Sequence, residues 1–573
     1  MPNNLFHKIK KSIGRSSKIG RKYQDINPED IFLDSANLPG FAEHRFEGRI
    51  EKPIGGTTFL LLRGILILIL IVFAFKLWGL QVMNGEKFSQ ISENNRLERT
   101  LIFANRGVIY DRNKVELASN NIKENDAGFA SRVYAPIDGL AHVVGYLKYP
   151  TKDSSGFYYE ENYRGQAGVE KTYNDSLSGT NGIKLRETDA LGHLISESVV
   201  EKPVDGSDLT LSIDAKLTNE LYKAIESIAH DRGFSGGAGV IMDTDTGEIL
   251  ALSSYPSYNQ NIITSGSDKN KIKELFNSPT KPFLDRAVSG LYTPGSIVKP
   301  IVALGALNED IITPEKKILS TGSISVQNPY DKTKFSVFKD WRAQGWVNMK
   351  DALAVSSDVY FYEVGGGFEG QRGLGIGKID QYFNLFGLTE KTGIDLPGEN
   401  SGVIATPDWK KENFNGDDWR LGDTYITAIG QYGTQVTTLE AVRWVGAIAN
   451  GGKLLVPSVV LGGAKEPVFR TINLQSEDWQ VVRDGMRQGV TTGIVSALYT
   501  PAVAVAAKTG TAELGVSKKM VNSWSTGFFP FEHPHYAFAV IMEKGDRNNT
   551  VGATYVMQSV INWMISNTPE YLK

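Results

Sequence analysis

The stretch Tyr292-Thr293-Pro294-Gly295-Ser296-Ile297-Val298-Lys299 governs how the rest of this sequence is interpreted. A Pro-Gly turn precedes Ser296, and an apolar segment typical of a helix, residues 301–307, follows Lys299. Residues three apart on a helix share a face, so the Lys299 amine is expected to lie against the Ser296 hydroxyl and take its proton. The first N–H groups of the helix also favour an anion beside Ser296. The pattern predicts an acyl-transferring serine enzyme.

The same short spacing occurs twice more in the chain, so context has to separate the copies. Ser278 and Ser336 also have a lysine three residues later. Ser278 lies in a polar segment that reads as a loop, and Ser336 lies in the alternating segment 334–339, which reads as a strand. Only Ser296 combines a preceding turn with a following helix, and we therefore select it.

Two downstream motifs complete the predicted site, Ser356-Ser357-Asp358 and Lys508-Thr509-Gly510-Thr511. A second Lys-Thr-Gly occurs at 391–393, but it follows what looks like the end of a helix and a turn. Residues 502–507, ahead of Lys508, are small and partly β-branched, as in an inner strand that can approach a ligand closely. The Lys508 copy is therefore the candidate.

Composition and hydropathy predict a membrane-anchored chain. The 573 residues suffice for two or more domains, the net charge of −3 gives no case for nucleic acid, and the absence of cysteine excludes disulfides. The first 22 residues carry seven lysines and arginines and no acidic residue, and an apolar span follows at 59–82. No small-residue cleavage site follows, so we expect a retained anchor in the cytoplasmic membrane, with the chain beyond residue 82 outside the cell interior.

We divide the chain into a cytoplasmic tail (1–56), a transmembrane helix (57–82), a pedestal (83–205) and a larger domain (206–573). The tail is polar and is expected to be mostly disordered. A hairpin turn is predicted at 244–247, strands return after residue 503, and helices dominate between 300 and 450. An antiparallel sheet assembled from both ends of the larger domain, with helices between, predicts an α+β fold. The glycine cluster at 165–168 is interpreted as a structural turn, because no strand-to-helix context for phosphate surrounds it.

These residues together resemble the class B penicillin-binding proteins, membrane-anchored D,D-transpeptidases that cross-link peptidoglycan. The resemblance extends over nearly all of the chain beyond residue 80. It implies the penicillin-binding transpeptidase fold, an antiparallel sheet flanked by helices, on a β-rich pedestal, with no cofactor and no metal. Further markers that carry it are the segments 106–113, 142–146, 165–170, 285–287 and 392–399.

The resemblance also implies the roles of the catalytic residues. Ser296 attacks the carbonyl of a D-Ala-D-Ala stem peptide, D-Ala leaves, and an amine of a neighbouring stem resolves the acyl-enzyme. Lys299 is the expected base, which requires its pKa to be lowered by burial or by a neighbouring cation. Ser356 is expected to relay a proton to the leaving amine. An ionised Asp358 near Lys299 would oppose the use of Lys299 as a base, and which group removes the serine proton stays open.

The expected substrate-binding residues lie on one strand. By the same resemblance, Lys508 and Thr509 hold the terminal carboxylate of the substrate, Gly510 belongs to the same binding segment, and the N–H groups of Ser296 and Thr511 form the oxyanion hole.

The resemblance to subgroups is mixed. Asp358 and the residues after it resemble the elongation-type penicillin-binding protein 2, whereas 431–438 looks more like the division type. The stretch between Asn120 and His142 is short, so a head subdomain found in relatives is expected to be largely missing. The expected partners are peptidoglycan stem peptides, β-lactams, the cytoplasmic membrane and a glycan polymerase of the shape, elongation, division and sporulation (SEDS) family.

Several alternatives stay open. A D,D-carboxypeptidase would use the same acylation step, and a non-catalytic β-lactam-binding scaffold would keep the fold alone. His533 and His535 could form a metal pair, but a surface turn is the better interpretation. Trp341 and Trp346, ahead of Ser356, could line the cleft or pack in the core.

Overall fold

The computed structural model describes residues 56–89, 97–121, 128–154, 156–188, 194–328, 331–463 and 466–573. The chain divides into two units, 1–95 and 96–573. The tail predicted at 1–56 lies outside the described residues except for its last position.

The described part of the first unit is an apolar helix. Helix α1 (Gly56–Trp78) continues into a short π-helical segment (Gly79–Met83), and none of its side chains is buried within the protein. Among the described residues it is the helix that is long and apolar enough to cross a bilayer. At about 1.5 Å per residue, it exceeds the roughly 30 Å hydrocarbon thickness. A single N-terminal membrane-crossing helix was predicted at this place, at 57–82.

The first part of the second unit is rich in short strands, as the resemblance implied for the pedestal. The strands are β1 (Leu97–Ile102), β2 (Ile109–Tyr110), β3 (Glu116–Asn121), β4 (Ser131–Tyr134), β5 (Leu147–Lys148), β6 (Thr151–Lys152), β7 (Tyr158–Glu160), β8 (Arg164–Gly165), β9 (Gly182–Thr188), β10 (Leu194–Glu201) and β11 (Leu209–Thr210). One sheet has the strand order β11-β2-β3-β4 and another has the order β1-β9-β10. The helices are α2 (Ala141–Val144), α3 (Gly168–Thr172) and α4 (Asn174–Ser178).

Strand β11 is shorter than the strand predicted at 209–213, and it pairs in parallel with β2. The sheet of the pedestal therefore includes residues on both sides of position 205. Between β3 and β4, which pair with each other, residues 122–127 lie outside the described part of the chain. The expectation of a reduced head subdomain concerns this connection.

A buried ion-pair triad joins three segments of this strand-rich region. The Glu170 carboxylate accepts hydrogen bonds from Arg106 Nε at 2.6 Å and from Arg132 Nε at 2.8 Å, and all three side chains are buried. The glycine cluster supports this arrangement, because a Cβ at Gly165 would lie 1.8 Å from the Glu170 carbonyl oxygen. The glycines thus serve close backbone packing, in agreement with the turn interpretation.

The larger domain is built on a five-stranded antiparallel sheet. Its strands, with those of three smaller sheets, are β12 (Gly236–Asp243), β13 (Ile249–Tyr255), β14 (Ile318–Ser320), β15 (Ser323–Gln327), β16 (Phe335–Lys339), β17 (Gly345–Val347), β18 (Lys453–Leu455), β19 (Phe469–Thr471), β20 (Ala506–Leu514), β21 (Met520–Phe529) and β22 (Tyr536–Asp546). The order in the sheet is β13-β12-β22-β21-β20, and its first hairpin turns at 244–247, as predicted.

Helices cover both faces of this sheet, so the predicted α+β fold is confirmed. Alternating residues of β22 enter two different cores: Ala537, Ala539 and Ile541 pack into one, and Phe538 and Val540 into the other. The helices are α5 (Ala215–Arg232), α6 (Gln260–Ser265), α7 (Lys269–Asn277), α8 (Lys299–Asn308), α9 (Met349–Ala354), α10 (Asp358–Gly366), α11 (Ile376–Leu385), α12 (Pro407–Asn413), α13 (Leu421–Ala428), α14 (Thr438–Ala449), α15 (Ser476–Thr491) and α16 (Ala553–Asn567).

Candidate active site

Ser296 lies in a tight turn that packs against the edge of the sheet. Residues Gly295–Val298 form a 3₁₀ helix, and helix α8 begins only at Lys299. The prediction that serine and lysine share one α-helix is therefore wrong in detail. A 3₁₀ turn still places residues i and i+3 one above the other. Gly295 has φ +58°, which favours glycine, and its N–H donates to the Gly430 carbonyl at 2.8 Å.

Ser356 lies in the connection between α9 and α10, in a backbone conformation that non-glycine residues rarely adopt. Its φ is +55° and its side chain is buried. The next residue, Ser357, caps α10 by accepting a hydrogen bond from the Tyr360 N–H at 3.3 Å. Strain of this kind persists only where neighbouring contacts over-determine the backbone.

Lys299 is fully buried and donates three hydrogen bonds. Its Nζ contacts the Ser356 carbonyl at 2.9 Å, Ser356 Oγ at 3.3 Å and Asp358 Oδ1 at 2.7 Å. Among the described residues, these bonds lead to Ser356 and Asp358 and none leads to Ser296. The predicted hydrogen bond between Lys299 and Ser296 is not made, because the Asp358 carboxylate attracts the ammonium group.

Lys508 also contacts Ser356. On strand β20, its Nζ contacts Ser356 Oγ at 2.7 Å and the Thr509 carbonyl at 2.9 Å. Burial lowers the pKa of Lys508 well below its ordinary value, and the positive charge of Lys299 lowers it further, whereas Asp358 raises it. One buried hydroxyl, Ser356 Oγ, thus bridges two buried lysines.

Strand β20 is an edge strand, and the Lys-Thr-Gly-Thr motif lies along it. Among the described strands it pairs only with β21. A Cβ at Gly510 would lie 2.6 Å from the Pro294 carbonyl, so glycine allows the serine turn to pack directly on the strand. Thr511 is exposed, and its carbonyl accepts from Gln431 Nε2 at 3.1 Å. An edge of this kind can accept an extended peptide through backbone hydrogen bonds.

The copies of the two motifs that were not selected lie on a strand, at the end of a helix and in a loop. Ser336 is on strand β16, as predicted, and Ser278 ends helix α7. The 391–393 copy lies in a loop, where Thr392 donates to the Glu399 carboxylate through its N–H and its hydroxyl. Lys508 is the copy that reaches Ser356.

The remaining candidates also differ in environment. The interpretation that the two tryptophans pack in the core is wrong, because Trp341 is 52% exposed and Trp346 is 64% exposed. Trp341 Nε1 donates to the Val355 carbonyl at 3.2 Å, directly before Ser356. His533 and His535 are exposed, and the described part of the chain has no cluster of three metal-ligating side chains. Asp340 was not among the residues predicted from the sequence, where its only signal is its position before Trp341.

Comparison with known proteins identifies the family. A family model described as the penicillin binding protein transpeptidase domain matches residues 237–561, which is more than half of the chain. The chain belongs to the penicillin-binding protein transpeptidases. A second model, the penicillin-binding protein dimerisation domain, matches residues 129–211 of this transpeptidase-family chain.

Similar proteins agree with this assignment. The peptidoglycan D,D-transpeptidase MrdA of Acinetobacter baumannii is 31% identical, over 84% of this chain and 84% of its own length. The MrdA protein of Escherichia coli is 27% identical, over 85% of this chain and 91% of its own. A solved complex of penicillin-binding protein 2 with MreC from Helicobacter pylori has a TM-score of 0.68 at 27% identity, covering 82% of this chain and 98% of that one. The family, the fold and the resemblance to penicillin-binding protein 2 are confirmed.

Proposed function

We propose that this chain is a peptidoglycan D,D-transpeptidase of cell-wall elongation and that it acts through an acyl-enzyme on Ser296. The observation that carries the proposal is the Ser356 hydroxyl, which bridges Lys299 and Lys508 next to the serine turn. The relatives named MrdA support the elongation role, as does Asp358 in the second motif, Ser356-Ser357-Asp358.

The two lysines exchange one proton through Ser356. In the free site, Lys299 carries a proton and pairs with Asp358, while the lowered pKa of Lys508 favours its neutral amine. When the terminal carboxylate of a stem peptide binds beside Lys508, its negative charge favours protonation of Lys508. The proton then passes from Lys299 to Ser356, and from Ser356 to Lys508. Lys299 is left neutral and can act as a base.

Acylation follows, and each proton that leaves one group is taken up by another. As the bond from Ser296 Oγ to the carbonyl carbon forms, Lys299 takes the hydroxyl proton. When the amide bond breaks, the D-Ala nitrogen takes a proton from Ser356, and Lys508 resupplies Ser356 as the carboxylate departs. The amine of a second stem peptide then attacks the acyl carbonyl, and its proton returns to Ser296 Oγ. The lysines end in their starting states.

The substrate is expected to bind along the exposed edge of strand β20. Thr509 and Thr511 flank Gly510, and the absence of a side chain there lets the serine turn lie close to the strand. Backbone N–H groups of Ser296 and Thr511 would stabilise the negative charge that develops on the carbonyl oxygen. Thr509 would add a hydroxyl for the terminal carboxylate held by Lys508.

We also propose an orientation and partners for the membrane-anchored chain. The basic residues before the apolar helix favour a cytoplasmic N-terminus, which places the catalytic part outside the cytoplasmic membrane. A solved structure of a peptidoglycan synthase complex that couples polymerization and crosslinking covers 89% of this chain at 25% identity and a TM-score of 0.68. A glycan polymerase is therefore the expected partner, of the SEDS family as the resemblance implies, and β-lactams are the expected inhibitors.

The test is covalent labelling followed by product analysis. A fluorescent β-lactam should label the purified full-length protein in detergent and should not label Ser296→Ala. With a pentapeptide stem and an acceptor amine, we expect a cross-linked dimer in which the terminal D-Ala is lost. Release of D-Ala without any dimer would instead indicate a carboxypeptidase. Normal growth of cells that carry Ser296→Ala as their only copy would favour a non-catalytic scaffold.

A further inference from the structure

We propose that Asp340 is a positioning residue for the reaction: it holds Ser356 in the strained conformation that bridges the two lysines. The inference rests on the proposed function, because it is there that Ser356 carries the proton. Asp340 touches neither lysine through the hydrogen bonds described below, so its effect on the reaction passes through the backbone around Ser356.

The Asp340 carboxylate contacts the chain at the second motif, Ser356-Ser357-Asp358. Its Oδ2 accepts from the Ser357 hydroxyl at 2.8 Å and from the Val359 N–H at 3.1 Å. These donors are the first and third residues after Ser356. Asp340 is buried, so these hydrogen bonds are shielded from competition by water.

Asp340 is itself anchored from the strands around it. Its Oδ2 also accepts from the Ser320 hydroxyl at 3.1 Å, and its Oδ1 accepts from the Trp341 N–H at 2.8 Å. Its own N–H donates to the Gly322 carbonyl at 2.9 Å. A carboxylate that accepts four hydrogen bonds in a buried position has its orientation fixed. It can therefore transmit the position of strands β14 and β16 to Ser356.

The next residue holds the other side of Ser356. The Trp341 indole donates to the carbonyl of Val355, which immediately precedes Ser356. Residues 340 and 341 thus fix the chain before and after a residue with φ +55°. A non-glycine residue stays in this region only when its neighbours hold it there. Without Asp340, Ser356 is expected to relax and to lose the simultaneous contacts of 2.7 and 3.3 Å with the two lysines.

The test separates positioning from binding. Acylation by a fluorescent β-lactam is measured by stopped flow, which gives the dissociation constant of the first complex and the acylation rate constant k2. Because misplacement of a catalytic group by about 1 Å costs up to about 100-fold in rate, we expect k2 of Asp340→Ala to fall about 10- to 100-fold. The dissociation constant should change less than about threefold, because no group that contacts the ligand is removed.

Two further variants sharpen the test. Asp340→Asn keeps one acceptor oxygen at the position of Oδ2, so its k2 should lie between those of wild type and Asp340→Ala. Asp331→Ala is the matched control: this carboxylate is bonded to Thr333 at the far end of the same hairpin and touches none of the catalytic motifs. Asp331→Ala should acylate like the wild type.

The outcomes distinguish this inference from the proposed function. A wild-type protein that is not acylated at Ser296 overturns the proposed function. If the wild type is labelled and k2 of Asp340→Ala is unchanged, the positioning role alone is overturned. It is also overturned if a larger dissociation constant of the first complex accounts for all of the loss of acylation in Asp340→Ala. If Asp340→Ala does not fold, Asp340→Asn decides, and a k2 equal to that of the wild type contradicts the inference.

Discussion

Removing the Ser356 hydroxyl tests the proton bridge directly. Ser356 Oγ lies 2.7 Å from Lys508 Nζ and 3.3 Å from Lys299 Nζ, and the side chain is buried. In each protonation state one lysine is charged, so that one bond contributes about 1.5–3 kcal/mol and the other, to a neutral amine, about 0.5–1.5 kcal/mol, which gives about 2–4 kcal/mol for the pair. At about 1.4 kcal/mol per tenfold, acylation of Ser356→Ala should be slower by about 30- to 1000-fold. General acid–base catalysis contributes effects of about this size.

A second substitution at the same position separates the hydroxyl from the backbone. Glycine adopts the observed φ of +55° without steric cost, whereas alanine there costs about 1 kcal/mol. Ser356→Gly should therefore be at least as stable as Ser356→Ala, yet both should acylate equally slowly. Thermal unfolding gives the stabilities, and stopped-flow labelling with a fluorescent penicillin gives k2.

The control is Ser289→Ala, which removes a hydroxyl that donates to the Gly398 carbonyl and touches neither lysine. Its k2 should match that of the wild type. If Ser356→Ala and Ser356→Gly both keep k2 within about threefold of the wild type, the Ser356 hydroxyl does not carry the proton.

Three further predictions concern buried charges. Because the pKa of Lys508 is lowered, the unfolded chain binds more protons than the folded one between that lowered pKa and 10.5, so the free energy of unfolding relative to Lys508→Met should rise with pH in this range; an equal difference in that free energy at pH 7 and pH 9 would refute this. Burial raises the pKa of Glu440 from 4.5 to about 8, so the folded chain binds more protons than the unfolded chain between these values, and the free energy of unfolding relative to Glu440→Gln should fall from pH 4.5 to 8. The acceptor oxygen that the variant lacks adds only a constant difference, and a difference that does not change with pH would contradict the prediction. Glu170→Gln should cost about 3–5 kcal/mol, since two buried arginines lose their partner, whereas Glu197→Gln at an exposed pair should cost less than about 1 kcal/mol; similar losses in the two variants would count against the triad.

The parts of the fold that the sequence predicted are those set by local pattern. The apolar run gave the membrane helix, the turn at 244–247 gave the first hairpin, and alternation gave the strand around Ser336. The small residues before Lys508 likewise indicated strand β20, although the strand begins at Ala506 and not at Val503. In each case the period of the side chains matches the element that forms.

The contacts inside the site depend on long-range packing, which local pattern does not encode. The sequence brought Lys299 to Ser296 by helical spacing, but the strongest attraction on its ammonium group comes from Asp358, 59 residues away along the chain. Asp340 could not be found because nothing in its own neighbourhood shows that strand β16 ends beneath the second motif. The tryptophans were open to two interpretations, since hydrophobicity alone does not decide between a core and the rim of a cleft.

The most direct test of the central claim is the site of covalent modification. The full-length protein is incubated with benzylpenicillin and digested, and the peptides are analysed by tandem mass spectrometry. We expect one penicilloyl adduct, on Ser296, which disappears in Ser296→Ala and forms more slowly in Ser356→Ala. An adduct on another residue, or an unmodified Ser296 in protein that is folded by thermal unfolding, would contradict it.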